Sequence, residues 1–593
     1  MTDQHAQGPN DAGAEVFAKN WRQVAEKSQQ LIGEFLKRQP AADSPLNPFA
    51  ITQAFLELTQ RMVADPKALI DAQAEIWREY LKVWQNVVER ASGKGETKPY
   101  VEADKGDRRF KDKAWQDHQL FDFLKQSYLL TSRWLQRTVA DVEGLDERTR
   151  RKVDFFTRQF VDAMSPSNFF LTNPEVLRTT FESKGENLIR GLDHLLRDLE
   201  RGSITMSDAQ AFAVGEKVAI TPGKIVFENR LFQLIQYAPS TDSVHRRPLL
   251  IVPPWINKYY ILDLRPENSL VRWMVAQGFT VFMVSWVNPD AALAQVSFEH
   301  YMTEGLFTAV EATLRATGES DLNIVGYCVG GTLTAGALAH MAERGDRRIA
   351  NATFLTALVD FTEAGDITVF IDDEQLKSMD SHLAKKGVFE GRIMAQAFNM
   401  LRANDLIWSF VVQNYLLGKE AIPFDILAWN ADSTNLPAAM HSFYLRNMYH
   451  ENRLVQPGGI TLAGVAIDVR KVATPCYILA TKEDHIAPWR SCYRATGLYH
   501  GEKRFVLAQS GHVAGVVNPP DSGKYGHWTN EALPAEPEAW LAGATQQAGS
   551  WWRDWADWLR PRSGDRVPAR RPVEGALRAI EDAPGRYVRR KSG

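Results

Sequence analysis

A run of residues that begins at Leu322 constrains the fold of this chain more strongly than any other stretch. The run reads LNIVGYCVGGTLTAGALAH, so Gly326, Cys328 and Gly330 follow an apolar stretch and precede a row of small residues. This order is typical of a sharp strand-to-helix turn that presents a nucleophile, and its glycines relieve crowding in a strained backbone. Cys328 takes the place of the nucleophile, and the N-terminus of the following helix favours its thiolate form.

The sequence from about residue 206 onward predicts a sheet that could carry such a turn. Short apolar runs typical of strands lie at 249–253, 279–284, 322–325, 352–355, 476–480 and 504–507. Several are separated by amphipathic stretches long enough for crossover helices, which predicts a mostly parallel sheet covered on both faces. Residues 362–454 interrupt this alternation and are rich in Phe, Trp, Met and Leu, so we expect a helical cap there. The predicted fold class over residues 206–593 is therefore α/β, of the α/β-hydrolase type.

Residues 15–205 have the pattern of an all-α domain that precedes the sheet. Asp65 and Asn173 each stand before a proline, which is the order of an N-cap and a first helical residue. Residues 1–14 are polar, and we expect them to be disordered. The helices are expected at about 65–91, 115–142, 147–163 and 174–199.

Bulk composition excludes several classes of function. The net charge of −3 and the lack of like-charged blocks argue against a nucleic-acid partner. Three cysteines cannot form a disulfide framework, which favours a reducing, cytoplasmic setting. The polar N-terminus lacks a secretory pattern, and the apolar run at 406–418 is too short to span a bilayer. The basic C-terminal residues GRYVRRKSG are expected to form a solvated terminus.

A cysteine nucleophile needs a base, and the base needs a carboxylate to orient it. Asp484 in TKEDHIAPW follows one predicted strand, and His512 in SGHVAGVVNPP follows the next. Both therefore fall at carboxyl ends of strands, after the nucleophile, in the order acid then histidine. Asp360 also ends a predicted strand and is the alternative acid, although we interpret it as a structural carboxylate. His512 as base also predicts that activity falls in acid as its ring protonates.

Thioester attack creates an oxyanion that requires two backbone N–H donors. Val329, directly after the nucleophile, is expected to supply one of them. Ile256 in VPPWINKYYILDL is expected to supply the other, since the two prolines before it have no N–H. Trp429 in the cap and His485 beside the acid are candidate substrate contacts. No metal and no cofactor is expected.

Long motifs of this chain resemble class I polyhydroxyalkanoate synthases. The matching stretches are GYCVGGTL, VPPWINKYYILDL, FDILAWNADSTNLP, FYLRNMYHENRL, TKEDHIAPW and SGHVAGVVNPP, with SPSNFFLTNPEVL matching the N-terminal domain of that family. The resemblance covers roughly residue 100 to the end. It implies Cys328 as nucleophile, His512 as base and Asp484 as the third member of the triad.

The same resemblance implies an activity and a setting. The expected activity is polymerisation of short-chain (R)-3-hydroxyacyl-CoA, chiefly 3-hydroxybutyryl-CoA, into polyester with release of CoA. The expected setting is the cytoplasm, as a homodimer on the surface of the growing granule with phasin-type proteins as further partners. The alternatives are a thioesterase or intracellular depolymerase with the same triad, and a granule-coating scaffold with a vestigial site. The sequence does not decide whether His512 or Asp484 activates the attacking hydroxyl, nor the range of monomers.

Overall fold

The computed structural model describes residues 9–37, 48–92 and 98–591, and its chain divides into two compact units. One unit comprises Met1–Met206 together with Phe398–Ile422. The other comprises Ser207–Ala397 and Pro423–Gly593. The helical unit and the sheet unit, as they are called below, are described separately.

The helical unit is built from amphipathic helices, as the sequence predicts. Its core includes Val83, Trp115 and Leu129. The short helix Ala114–Asp117 precedes the fourth helix. The main helices are α1 (Pro9–Lys37), α2 (Pro48–Ala64), α3 (Pro66–Ala91), α4 (Gln119–Ala140), α5 (Glu147–Ala163), α6 (Pro174–Glu182) and α7 (Glu186–Arg201).

The helix boundaries in this unit agree only in part with the prediction. Asn173 caps α6 as predicted, because its side chain accepts hydrogen bonds from the N–H groups of Glu175 and Val176. The helix predicted to run on to residue 199 is instead broken between α6 and α7, since Lys184 and Gly185 have φ of 53° and 86°. Helix α1 begins at Pro9 and so includes part of the stretch expected to be disordered, whereas residues 1–8 lie outside the described residues.

Part of the segment expected in the cap belongs to the helical unit. Asn187 of α7 donates to the carbonyl of Leu416 at 2.7 Å, and Tyr415 donates to Asp198 at 2.8 Å. A Cβ on Gly191 would lie 1.9 Å from the carbonyl oxygen of Tyr415, so only glycine allows this approach. The expected cap at 362–454 is therefore divided, with residues 362–397 and 423–454 in the sheet unit.

The sheet unit contains a twisted sheet with eleven strands among the described residues. Their order across the sheet is β10-β9-β8-β7-β6-β5-β3-β4-β2-β1-β11. The strands are β1 (Gly223–Glu228), β2 (Phe232–Tyr237), β3 (Leu249–Val252), β4 (Val281–Trp286), β5 (Leu322–Tyr327), β6 (Ile349–Leu355), β7 (Cys476–Thr481), β8 (Lys503–Ala508), β9 (His527–Thr529), β10 (Thr545–Gln547) and β11 (Glu581–Asp582).

The six central strands, β3 to β8, are parallel, which confirms the prediction from their apolar runs. The strands at both edges of the sheet are antiparallel. The stretch IVFENRLFQLIQY alternates like a single strand in the sequence and forms β1 and β2, whereas β9, β10 and β11 were not expected. They are short or partly polar, and so they lack the buried apolar run that identifies a central strand. Buried side chains cover both faces of the sheet.

Helices cover the sheet and form the remaining part of the cap. Three two-stranded ribbons pair Ser243–His245 with Arg566–Pro568, Val388–Phe389 with Leu436–Pro437, and Thr461–Leu462 with Val465–Ala466. The helices are α8 (Leu270–Ala276), α9 (Thr308–Thr317), α10 (Val329–Arg344), α11 (Asp373–Lys386), α12 (Gly391–Leu401), α13 (Asp425–Asn430), α14 (Ala438–Tyr444), α15 (Trp489–Leu498), α16 (Pro537–Ala542) and α17 (Trp552–Leu559), with Phe298–His300 a further short helix. Among the described residues, no helix combines the length and apolar character needed to cross a membrane.

The C-terminal segment is docked on the sheet unit through Val588 and its backbone, whereas the basic side chains of Arg586 and of residues 589–591 are exposed, as expected for a solvated terminus. Strand β11 pairs with β1 at the edge of the sheet. Val588 is 1% exposed and belongs to the core on one face of the sheet. Basic residues on either side of Val588 conceal this burial in the sequence, because a single apolar residue gives no periodic signal.

Candidate active site

Cys328 lies in the sharp turn between β5 and α10. Its backbone has φ 53° and ψ −124°, a conformation that a residue with a side chain adopts only under strain. Its N–H donates to the carbonyl of Leu355 at 2.9 Å, and its carbonyl accepts from Gly331 at 2.8 Å. The turn therefore fixes the thiol at the carboxyl end of the sheet, as the sequence predicts.

The glycines around Cys328 are required by close packing. A Cβ on Gly326 would lie 2.5 Å from the Cα of Gly331, and one on Gly330 would lie 2.3 Å from the carbonyl oxygen of Val252. A Cβ on Gly331 would lie 2.3 Å from that of Ala357. These contacts let the first turn of α10 press against the strands, which accounts for the glycines of GYCVGG.

Asp484 occupies the loop after β7 and is held by three local donors and by His512. Its Oδ1 accepts from the N–H groups of Ile486 and Ala487, both at 2.8 Å. Its Oδ2 accepts from the hydroxyl of Thr481 at 3.1 Å and from His512 at 2.7 Å. The Asp484 side chain has 0% exposure, so its oxygens face only these partners.

His512 comes from the loop after β8 and completes the constellation. The N–H of Glu483 donates to the carbonyl of Ser510 at 3.0 Å, which ties the loop of the acid to the loop of the histidine. Nδ1 of His512 donates to Asp484, and the ring also hydrogen-bonds the thiol of Cys328. The structure thus brings Cys328, His512 and Asp484 together at one edge of the sheet.

The charge of His512 follows from its neighbours. Burial lowers the pKa of the ring, but the charges of Asp484 and Cys328 and the hydrogen bonds to both prevail and raise it to about 10. The imidazolium form of the ring is therefore favoured beside the buried carboxylate of Asp484. The expected fall of activity in acid stays a prediction.

The other two cysteines are core residues, as predicted. Cys476 lies within β7 and Cys492 within α15, and both are 1% exposed or less. Burial raises the pKa of each thiol above its ordinary value. Both sulfurs therefore stay protonated and unreactive.

Asp360, the alternative acid, has a structural role. Its Oδ1 accepts from the N–H and hydroxyl of Thr362 at 2.9 and 2.6 Å and from Asn452 at 2.9 Å. Its Oδ2 lies 3.5 Å from Arg494. These contacts tie the end of β6 to the cap, and none of them involves His512.

The two expected oxyanion donors lie on adjoining segments. Val329 is the first residue of α10, where a helix has no carbonyl of its own to pair with the N–H. Ile256 lies in the loop after β3, and its carbonyl accepts from the N–H and hydroxyl of Thr434 at 3.0 and 2.9 Å. The contact of Gly330 with Val252 sets the start of α10 against the start of this loop. The role of Ile256 stays a prediction.

The two candidate substrate contacts, Trp429 and His485, are buried and half-buried, and their roles stay predictions. Trp429 is 5% exposed, and its indole N–H donates to the carbonyl of Lys258 at 2.7 Å. Its ring packs in the core, so it supports the loop after β3 and does not face solvent. His485 is half-buried beside Asp484. A Cβ on Gly365 would lie 2.9 Å from the carbonyl oxygen of His485.

Aromatic residues next to the elbow were missed as site residues. Tyr449 lies 4.9 Å from Phe361 and 5.9 Å from Tyr444, measured between ring centroids. The hydroxyl of Tyr444 donates to that of Thr332, in the first turn of α10, at 3.2 Å, and burial raises the pKa of Tyr449. The motif FYLRNMYHENRL contains both tyrosines, but its spacing alone does not reveal that they pack beside the elbow.

The tryptophan-rich segment at the start of α17 supports the histidine loop. Trp551 donates to the carbonyl of Gly515 at 3.0 Å, and Trp552 donates to that of Val516 at 2.9 Å. Both side chains are at most 1% exposed. These indoles therefore anchor the backbone three and four residues beyond His512.

Comparisons with known proteins agree with this architecture. Residues 106–274 match the family described as "Poly-beta-hydroxybutyrate polymerase (PhaC) N-terminus". Residues 248–519 match the family described as "alpha/beta hydrolase fold".

Among curated proteins, a poly(3-hydroxyalkanoate) polymerase of Methylorubrum extorquens is 47% identical over 98% of this chain and 98% of its own. A polymerase subunit PhaC of Rhizobium meliloti is 44% identical, covering 97% of this chain and 95% of its own. One of Cupriavidus necator is 45% identical, covering 89% of each. Identity at this level over nearly the whole chain indicates a shared fold and an acyltransferase. The chain belongs to the poly(3-hydroxyalkanoate) polymerase family.

Proposed function

We propose that this enzyme polymerises short-chain (R)-3-hydroxyacyl-CoA, chiefly 3-hydroxybutyryl-CoA, into polyester through an acyl thioester on Cys328. The observation that carries the proposal is the thiol itself. It is held on a strained elbow, hydrogen-bonded to His512, whose other ring nitrogen donates to Asp484 at 2.7 Å. A thiol in this position can hold an acyl group in a form that remains activated.

The first step transfers the acyl group from CoA to the enzyme. The thiolate of Cys328 attacks the thioester carbon, and the N–H groups of Val329 and Ile256 stabilise the oxyanion that forms. The bond between the acyl carbon and the CoA sulfur then breaks, and His512 gives its proton to the departing thiol. One thioester replaces another, so the step is close to isoenergetic.

The second step forms the ester. A hydroxyl of another monomer or of the chain end loses its proton to His512 and attacks the acyl carbon of the Cys328 thioester. The carbon–sulfur bond breaks, and the thiolate returns beside a protonated His512. We assign the proton transfer to His512, because Asp484 has no exposed surface and its oxygens already accept four hydrogen bonds.

Water must be kept from the acyl group, because hydrolysis would end the chain. The aromatic cluster of Phe361, Tyr444 and Tyr449 is suited to this task, since its rings pack within 6.0 Å of each other beside the elbow. A thioesterase or depolymerase could use the same triad. Family membership over nearly the full length favours the polymerase.

The proposed setting is the cytoplasm, at the surface of the growing polyester granule. The enzyme is proposed to act there as a homodimer, with phasin-type proteins as further partners. The basis of this part of the proposal is the resemblance of the long motifs to class I synthases.

A product assay tests the function. The purified enzyme is incubated with 3-hydroxybutyryl-CoA while free thiol, soluble acid and insoluble polyester are measured together. We expect CoA release matched by insoluble polymer. CoA release matched by free 3-hydroxybutyrate would instead identify a thioesterase. Repeating the assay with longer acyl chains defines the range of monomers.

A further inference from the structure

A buried ammonium group lies close to the proposed oxyanion donor. Lys258 stands two residues after Ile256 in the loop after β3 and is 5% exposed. Its Nζ donates to the carbonyl of Val588 at 2.7 Å and to that of Arg590 at 2.9 Å. It also lies 3.1 Å from Oδ1 of Asp432. The loop is thus joined directly to residues close to the C-terminus.

The polar groups around Lys258 pair with one another through Asp432. Asp432 is 7% exposed, accepts from the hydroxyl of Tyr260 at 2.9 Å, and also pairs with Lys591 at 3.1 Å. Burial lowers the pKa of Lys258, and the charge of Asp432 opposes this effect. A buried cation is costly unless it is paired and hydrogen-bonded, so each partner here is needed to keep Lys258 in place.

The same loop is held on its other side by the segment that follows α13. Trp429 donates to the carbonyl of Lys258 at 2.7 Å. Thr434 donates to the carbonyl of Ile256 from both its N–H and its hydroxyl. Residues 588–590 therefore support a loop whose other supports come from residues 429–434.

The neighbouring segments reinforce this arrangement. Asn288 donates to the carbonyl of Arg590 at 3.3 Å and accepts from the N–H of Asn435 at 2.9 Å. The C-terminal residues are thus bonded both to the loop after β3 and to the loop after β4. Contacts made through main-chain carbonyls depend on the presence and path of the chain end more than on its side chains.

We infer that residues 588–591 act as a latch that positions the oxyanion loop, with Lys258 as the positioning residue. The latch sets the backbone of residues 255–258, and through it the N–H of Ile256, for attack on the acyl carbon. The inference rests on the proposed function of the site, since it assigns the second oxyanion donor to this loop. Lys258 does not touch the reacting atoms.

Two variants remove the latch from opposite sides. Lys258→Met keeps the length of the side chain and removes its charge and donors. A chain ending at Arg589 keeps Val588 in the core and removes the Arg590 carbonyl and Lys591. Each is compared with Arg586→Ala, which loses only exposed ion pairs with Glu228 and Glu581 in the same C-terminal segment. Lys258→Arg restores a cation and tests rescue.

The measurement separates oxyanion stabilisation from the state of the thiol. Acylation of Cys328 by 3-hydroxybutyryl-CoA is followed by rapid mixing, and alkylation of Cys328 by iodoacetamide is followed in parallel. Alkylation creates no oxyanion, so it reports only on the thiolate and its access. We expect acylation to slow at least about tenfold in both latch variants, with alkylation within about twofold of the wild type. Arg586→Ala should match the wild type, and Lys258→Arg should recover part of the rate.

Two results would overturn the latch. One is acylation at the wild-type rate in Lys258→Met or in the shortened chain. The other is an equal loss of acylation and alkylation, which would mean that the whole site had been disturbed. If Lys258→Met does not fold, the shortened chain decides.

Failure of the proposed function gives a different result. In that case the wild type releases no CoA from 3-hydroxybutyryl-CoA. A p-nitrophenyl butyrate burst then reports acylation by a simple activated ester, and the latch variants are compared on that burst. A tenfold loss there supports the latch even if the natural substrate is another acyl donor.

Discussion

Asp484, the proposed third member of the triad, and the proposed oxyanion loop after β3 both follow carboxyl ends of strands but are held in opposite ways. Asp484 is fixed by Thr481, Ile486 and Ala487, all within three residues of it. The loop after β3 is fixed by Thr434, 178 residues beyond Ile256, and by Val588, 330 residues beyond Lys258. The position of Asp484 is therefore encoded by a short motif, whereas that of the loop after β3 depends on distant segments of the chain.

The largest effect is expected at Cys328, the proposed nucleophile. Cys328→Ala should lower CoA release by about 10⁴-fold or more, because members of a triad act as a unit. Cys476→Ala is the matched control, since it removes a buried thiol near the start of β7. The control should lose some stability but retain activity. Comparable rates for Cys328→Ala and the wild type would reject Cys328 as nucleophile.

The next test compares Asp484 with Asp360, since each of these carboxylates follows a strand. Asp484→Asn should lower the rate by about 10³- to 10⁴-fold, because the amide disturbs the tautomer and charge of His512. Asp360→Asn should leave the rate within about threefold and lower the free energy of unfolding by about 1 kcal/mol, through its bonds to Thr362 and Asn452. Rates and urea unfolding curves for both variants check this pair. The reverse ranking of rates would make Asp360 the catalytic acid.

The charge of His512 predicts a dependence of stability on pH. The pKa of the folded state is raised to about 10, so the stabilisation by this group is complete below about pH 6.5 and disappears as pH rises toward 10. The difference in unfolding free energy between the wild type and His512→Gln should shrink over that range, by at most about 1.4 kcal/mol per pH unit. Activity should decline on the alkaline side as the imidazolium is lost. A difference that is independent of pH would contradict the ion pair.

The smallest effect is expected at the distant support of the oxyanion loop. Thr434→Val removes the hydroxyl that donates to Ile256 but keeps the N–H contact and the shape of the side chain. We expect acylation to slow about five- to tenfold, equivalent to about 1 kcal/mol. Alkylation by iodoacetamide should not change. Thr362→Val, at the structural carboxylate, is the control, and an equal loss in both variants would argue against a special role for the loop.

The sequence predicts the elements that depend on local patterns. The six central strands have continuous apolar runs, and the elbow requires glycines that GYCVGG displays. The order of Asp484 and His512 after two such strands identifies the triad because parallel strands bring their carboxyl ends together.

Other features depend on contacts that no local pattern encodes. The outer strands β9, β10 and β11 have only two or three residues each, so their sequence resembles that of loops. The sequence of residues 398–422 is typical of the cap, but these residues pack on α7. This packing depends on the absence of a side chain at Gly191. The burial of Trp429 and Val588 depends in the same way on the backbone of the loop after β3, far away in sequence.

Cys328 is proposed to hold an activated acyl group that is transferred to a hydroxyl in preference to water. The most direct measurement loads the enzyme with butyryl-CoA, which lacks the attacking hydroxyl, and follows the acyl-enzyme by intact mass and peptide mapping. The account predicts a long-lived butyryl thioester on Cys328 that methyl 3-hydroxybutyrate discharges as an ester. Rapid release of free butyrate at the same rate with or without the hydroxyl compound, or an acyl group on another residue, would contradict it.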